Sequence, residues 1–447
     1  MSFPFTVHSR LCSAVRWIFE RLGIAAFVGA LALPSVAHSA DSPLTLAAAQ
    51  RRAVERSRQL GAQDFAVTAA RDLAVAAGQL PDPVIRIGID NLPVTTADRF
   101  SLTRDFMTMR RIGVMQEVTS SDKLQLRADR FEREADKAVA LKSSTTAAIE
   151  RDTALAWLDR YYAEAMAAVI AEIGGQAKLE IQAAEGAYRA GRGTQAEIFA
   201  AHAALAAFED RASEVQRRVR NAKAMLARWI GDGANFPLAG EPATNAIRLD
   251  PATLESQLAH HPQIAVLDKS EEIAKAEVRI AQANKKSDWT VELAYQQRGP
   301  AYSNMISVGV SIPWQWDQKN RQDRQLSAKL AMVEQTRAER DELLREHVAQ
   351  TRTMINEWEN DRERHARYER DLIPLANART EAVMTAYRGG KSSLADVLAA
   401  RRNEIDVRIQ ALQLAADTAR VWAQINFLFP TDATAAHSAV ITPGETK

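Results

Sequence analysis

A stretch of fifteen residues occurs twice in this chain, 199 residues apart, as residues 187–201 (AYRAGRGTQAEIFAA) and 386–400 (AYRGGKSSLADVLAA). Seven positions are identical and four are close exchanges: Arg192 with Lys391, Thr194 with Ser393, Glu197 with Asp396 and Ile198 with Val397. Each copy reads as a helix end, a tight turn and a helix start. Gly191 and Gly390 supply a positive φ, and Thr194 and Ser393 offer N-cap oxygens. Both stretches are therefore expected to be tips between antiparallel helices.

The flanks set the length of those helices. No proline interrupts residues 121–189, and only Pro374 interrupts residues 318–388. Helices of that length reach roughly 100 Å, several times the globular average. After the first tip, Ile198, Ala201, Leu205, Phe208, Ala212, Val215, Val219, Ala222 and Leu226 alternate steps of three and four. This is a heptad seam, so the rods are expected to coil side by side. After the second tip, Leu398, Ile405, Leu412 and Ala419 keep the seven-residue step, with Arg402 intruding between the first two.

The first 37 residues carry Arg10, Arg16 and Arg21, then an apolar run over residues 22–33 and small residues ending at Ala37. This is the pattern of an export leader, and the run is too short to span a bilayer as a helix. The one cysteine, Cys12, precedes that run, so the exported chain is expected to lack disulfides and a lipid-bearing cysteine. The net charge of +1 becomes about −1 without the leader, which gives no basic field for nucleic acid.

Residues 44–80 read as a helix stopped by Pro81-Asp82-Pro83. A strand follows at about 84–91, with Ile85, Ile87 and Ile89 on one face, and a second at 107–118, where Arg110 and Arg111 spoil the alternation. The plan then repeats: a helix over 251–286, strands at 289–298 and 304–312, and the second rod. The expected organisation is thus leader 1–37, a first repeat over 44–231 with its tip at 189–194, a Gly-, Pro- and Asn-rich linker over 232–250, a second repeat over 251–429 with its tip at 388–393, and a tail over 430–447. Four amphipathic strands of about 8 to 11 residues cannot cover their apolar faces alone. Each is long enough to cross a bilayer when tilted, and about eight strands is the smallest closed barrel, so at least two chains are required and three would give twelve strands.

The duplicated tip, the strand pairs and the two rods together resemble the outer-membrane efflux (TolC-like) family over essentially all of the exported chain. Gln79-Leu80-Pro81-Asp82-Pro83 before the first strand and Gly309-Val310-Ser311-Ile312-Pro313 closing the fourth resemble its heavy-metal cation branch. The resemblance implies a mainly helical fold with a small membrane β-barrel: a trimer with a twelve-strand barrel in the outer membrane and a twelve-helix periplasmic tunnel. Its tips, at Gly191, Thr194, Gly390 and Ser393, would meet a periplasmic adaptor and through it an inner-membrane pump. The expected function is a passive exit duct, with no cofactor and no catalysis. Its expected cargo is heavy-metal cations, or alternatively drugs and other small molecules. A soluble periplasmic adaptor is the rival of another class, but it would carry one hairpin flanked by lipoyl-like halves.

Other motifs read more plainly. Gly390-Lys391-Ser392 lacks the earlier glycine of a phosphate loop, since Thr385 occupies that place, and no H-E-x-x-H or G-x-S-x-G occurs. His260-His261 is a candidate weak metal contact or, more simply, a helix-terminus pair. Glu185 and Glu381 lie just before the turns and are candidate lumen acids for cation selection, whereas Glu197 and Asp396 suit the first turn of a helix. Tyr188 and Tyr387 are expected to pack their hairpins. Gly174-Gly175 and Pro374 fall at matching repeat positions and weaken each rod at one level, either as a hinge or as a static bend.

Overall fold

The computed structural model describes residues 43–191 and 194–431. The expected leader with Cys12, the turn residues Arg192 and Gly193, and residues 432–447 of the expected tail lie outside the described residues.

Two helices replace the single one expected over residues 44–80: α1 (Leu46–Arg56) and α2 (Arg58–Ala77). Ser57 makes the break. Its backbone turns extended at ψ 117°, and its hydroxyl accepts a hydrogen bond from the Leu60 amide to cap α2. Strands β1 (Val84–Asp90) and β2 (Met109–Val118) follow, then α3 (Ser121–Arg189) and α4 (Gln195–Ile230). The helix expected over 251–286 is likewise divided, into a 3-10 turn, α5 (Leu254–Leu258) and α6 (Pro262–Ala283). Pro262 has no amide hydrogen and disfavours a helical residue before it, so the helix restarts there. Strands β3 (Trp289–Gln297) and β4 (Met305–Ser311) lead to α7 (Gln322–Arg367), α8 (Ile373–Arg388) and α9 (Leu394–Asn426).

Helix α3 is unbroken over 69 residues and continues as α-helix through Gly174-Gly175. The second rod is not unbroken: between α7 and α8 the residues Tyr368–Leu372 form a π-turn. Pro374, near the start of α8, explains it. A proline cannot bond to the carbonyl four residues back and clashes with it, and a widened turn gives that carbonyl room.

The two rods act as spines. Helix α3 meets α2 and α6 along its first half and α4 and α9 along its second, while α7 meets α6 and then α9. Along α4, Ala201, Phe208, Val215, Val219 and Leu226 are buried and no seam position is exposed, as a heptad requires. Arg402 is exposed and stands outside the α9 seam. The linker forms a belt against the helices. Arg160 donates to the Ala234 carbonyl at 2.6 Å, Trp358 to the Thr244 carbonyl at 3.2 Å and Trp422 to the Ala246 carbonyl at 2.8 Å. Leu44 closes it, since the Trp157 indole donates to its carbonyl at 3.0 Å.

The four strands make one antiparallel sheet in the order β1-β2-β3-β4, joined across the repeats by β2 and β3. Its register places Ile87, Ile112, Tyr295 and Ile306 in one row, and Ile85, Val114, Leu293 and Val308 in the next, so one face is apolar from edge to edge. The other face carries Arg86, Asp90, Arg111, Glu292 and Ser307. Arg110 and Arg111 therefore point to opposite faces. Arg111 pairs with Glu292 on the polar face, and Arg110 sits at the loop end of the apolar face, reaching the Arg298 carbonyl at 3.4 Å.

Candidate functional site

Both tips are built from the same two devices. At the second, α8 ends in a paired turn in which Lys391 donates to the Ala386 carbonyl at 2.8 Å and Gly390 to the Tyr387 carbonyl at 2.9 Å, with Gly390 at φ +71°. Helix α9 then starts in a capping box: the Ser393 hydroxyl accepts from the Asp396 amide, and the Asp396 carboxylate accepts from the Ser393 amide. That amide, together with the Ser393 and Ser392 hydroxyls, holds the Asp396 carboxyl below its ordinary range. At the first tip, Gly191 has φ +77° and donates to the Tyr188 carbonyl at 2.9 Å, while Thr194 and Glu197 form the equivalent box. Gly390-Lys391-Ser392 is thus turn chemistry, and the first-turn acids are cap partners.

The surroundings of the two tips differ. Leu398 is 4% exposed and its counterpart Phe199 is 65% exposed. Tyr387 packs on the cluster formed by Ile181, Leu394, Leu398 and Ile405, as expected. Tyr188 is 41% exposed and is not part of that cluster.

The candidate lumen acids are also unlike. Glu185 lies 3.1 Å from the His202 imidazole across the first hairpin and 3.9 Å from Arg189. Glu381 is exposed, and its backbone carbonyl accepts from the Thr385 hydroxyl. Between them lies a charged cluster that the heptad reading missed. The Arg401 guanidinium is shared by Glu180 of α3 at 2.9 Å and Glu404 at 3.1 Å, Glu404 also meets Arg408 at 3.3 Å, and Arg408 reaches Asn377 of α8. Burial works against the Arg401 charge, but Glu180 and Glu404 together outweigh that and raise its pKa. The spacing 401, 404, 408 is itself helical, one face of α9 beside the apolar seam, and was the available signal.

His260 and His261 do not act together. His260 lies 3.0 Å from the Ser256 carbonyl, while His261 is buried, caps α6 by accepting from the Gln263 amide, and lies 4.5 Å from the His347 ring. Among the described residues, no group of three His, Cys, Asp or Glu side chains is placed to hold a metal ion. No described helix is long and apolar enough to cross a membrane.

A four-stranded sheet, apolar on one face and polar on the other, mounted on two capped helical hairpins, is the architecture of the TolC-like outer-membrane channels. Residues 253–429 match the family of outer membrane efflux proteins, and the chain as described carries the fold of that family. It is similar to the cobalt-zinc-cadmium resistance protein CzcC of Cupriavidus metallidurans, 26% identical over 229 residues, 50% of this chain and 53% of that one. The chain thus aligns with about half the length of this curated relative. Among solved structures, CusC aligns with a TM-score of 0.71 at 13% identity, covering 86% of this chain and 91% of that one. VceC of Vibrio cholerae aligns with a TM-score of 0.67 at 18% identity, covering 86% and 95%.

Proposed function

We propose that three copies of this chain form a passive outer-membrane exit duct for heavy-metal cations, with the strands closed into a barrel and the rods into a periplasmic tunnel. One observation carries this reading. The sheet leaves β1 and β4 unpaired at its edges while most of its apolar face is exposed, with Ile87, Ile306 and Val308 all open. Unpaired edges are satisfied by neighbouring copies, and a continuous apolar face by lipid. Twelve strands in three copies fall within the range of closed membrane barrels. The polar face, with Arg86, Asp90, Arg111 and Glu292, would then line the lumen.

The cargo rests on CzcC, whose name ties that protein to cobalt, zinc and cadmium, and on the heavy-metal-branch segments at Gln79 and Gly309. The energy would come from an inner-membrane pump, coupled through a periplasmic adaptor that grips the tips around Gly191, Thr194, Gly390 and Ser393. Glu381 is the acid left to face the pore, since Glu185 is engaged by His202. The levels of Gly175 and Pro374 are where the rods would bend.

Native mass measurement in detergent, followed by planar-bilayer recording, tests the reading. A trimer that conducts cations is expected, and a stable non-conducting monomer would end it. Restored zinc, cobalt or cadmium tolerance in a channel-deficient strain supports the metal cargo. Restored drug tolerance alone would assign the duct to small organic molecules.

A further inference from the structure

A cavity of about 580 Å³ lies where the linker belt crosses the helices, walled by α3, α7, α9 and the belt of one and the same chain. Trp358 pins the belt there through its bond to the Thr244 carbonyl. The cavity is therefore complete within one copy, and its size suits a small organic molecule.

Three carboxylates line it, Glu241 from the belt and Glu359 and Glu363 from α7, and none of them forms an ion pair among the described residues. The basic groups at the same wall are engaged elsewhere. The Arg362 guanidinium lies over the Trp358 ring, 4.4 Å from its centroid, and the His365 imidazole lies 3.7 Å from Glu369. Glu359 and Glu363 stand one helical turn apart on one face of α7, so their charges are spread along the cavity rather than focused on one point.

Tyr162 of α3 supplies a second, independent observation. It is 4% exposed and lines the cavity, yet its hydroxyl has no hydrogen-bond partner among the described residues. Burial, and after it the Glu241 carboxylate, raise its pKa, so the phenol stays protonated. A buried hydroxyl without a partner costs free energy that a ligand N–H would recover. Ala366 and Ala415 add an apolar wall beside it. Since no three acid or histidine side chains among the described residues are placed for a bare metal ion, the positive charge that suits this cavity is distributed. A hydrated inorganic ion would satisfy the carboxylates but gain nothing from the alanines. An alkyl chain carrying ammonium groups satisfies both.

We propose that this cavity is a binding site for a linear organic polyammonium cation, with Glu241, Glu359 and Glu363 accepting from its ammonium groups, the Tyr162 hydroxyl accepting a further N–H, and the methylene stem lying on Ala366 and Ala415. The site goes beyond the duct reading and needs no barrel to form. The same turns of α7 run directly into the π-turn at Tyr368–Leu372, so an occupant that bridges α7 to the belt also braces the second rod beside its irregular turn.

Calorimetric titration of the full protein in detergent with spermidine tests the site. Saturable binding of one spermidine per chain is expected, weakening as salt is raised. The Glu359→Gln/Glu363→Gln pair should weaken it about tenfold or more through the loss of two charge-assisted contacts. Tyr162→Phe, which keeps the ring, should weaken it less, and Glu342→Gln, an exposed acid of the same helix outside the cavity, should leave it unchanged. Thermal unfolding without ligand checks that the variants are folded. In amide hydrogen exchange, spermidine should slow residues 368–372 in the unsubstituted protein and not in the double variant. No binding, or binding that the double variant retains in full, would overturn the site. Magnesium chloride binding as tightly as spermidine, and lost in the same variant, would overturn the polyammonium assignment in favour of a hydrated divalent ion. None of these outcomes bears on the duct reading, which the trimer and its conductance decide.

Discussion

The two hairpins share a tip sequence but have different neighbours. Helix α4 leans on α3 as its main partner over most of its length and buries a single stripe, whereas α9 is wedged among α3, α7 and α8 and buries residues on several faces, Glu404 among them. Repeat-equivalent positions have diverged accordingly. His202 in the first hairpin makes an open pair with Glu185, and its counterpart Arg401 makes a covered pair with Glu180 and Glu404. A duplicated motif therefore specifies the turn, and the number of packing partners decides what the residues around it are worth.

The largest expected contrast is at those two positions. Arg401→Ala strands the half-buried Glu180, leaves the buried Glu404 to Arg408 alone and should cost about 3–5 kcal/mol, the range for removing one partner of a buried pair. His202→Ala removes only an exposed pair, worth about 0–1 kcal/mol. Denaturant unfolding of both variants in detergent checks this. Equal losses would mean that the hairpins are energetically alike despite their surroundings.

The next contrast is between the two helix restarts, since α2 is capped by Ser57 and α6 by His261. Burial, then the neighbouring His347 and Arg151, push the His261 pKa down to about 4, so the folded state holds this ring neutral. Its unfolded value is near 6.5, so the stabilisation is fully present above that pH and is lost as the pH falls from about 6.5 to about 4. A shift of that size corresponds to about 3 kcal/mol. His261→Asn, which keeps a capping oxygen, should flatten this part of the stability profile. Ser57→Asn should leave it unchanged.

Much of this was legible in the sequence, for reasons that differ by element. The tips, the α4 seam and the strands carry local chemistry: a glycine at positive φ, a cap, a period of seven or two. The breaks at Ser57 and Pro262 interrupt apolar patterns that continue on either side, so periodicity ran through them. The Glu180–Arg401–Glu404 cluster was not legible because Glu180 and Arg401 are 221 residues apart and meet only when α9 docks on α3. The exposure of Phe199 and Tyr188 likewise depends on a neighbour that no local pattern names.

A smaller effect is expected at the turn glycines, where the two copies should behave alike. Gly191→Val and Gly390→Val each place a β-branched residue at positive φ, with open space around the new side chain. The cost is backbone strain of about 1–2 kcal/mol in both hairpins. A much larger loss at Gly390 alone would show that the crowding of the second hairpin reaches its very tip.

The smallest stability change belongs to the matched weak points, and it separates a hinge from a bend. Gly175 lies within an intact α-helix, and a Cβ built there meets nothing within 4 Å. Gly175→Ala should therefore add up to about 1 kcal/mol through helix propensity alone. Pro374→Ala restores an amide hydrogen just past the π-turn, which can then relax toward α geometry. In amide hydrogen exchange, residues 368–374 should become more protected in this variant, while 172–178 should slow only in Gly175→Ala. If the second rod is the moving one, Pro374→Ala shifts open-channel dwell times and Gly175→Ala leaves them unchanged. Altered gating in the glycine variant alone would place the hinge in the rod that the structure shows as one unbroken helix, and the π-turn would then be a fixed feature of the wall.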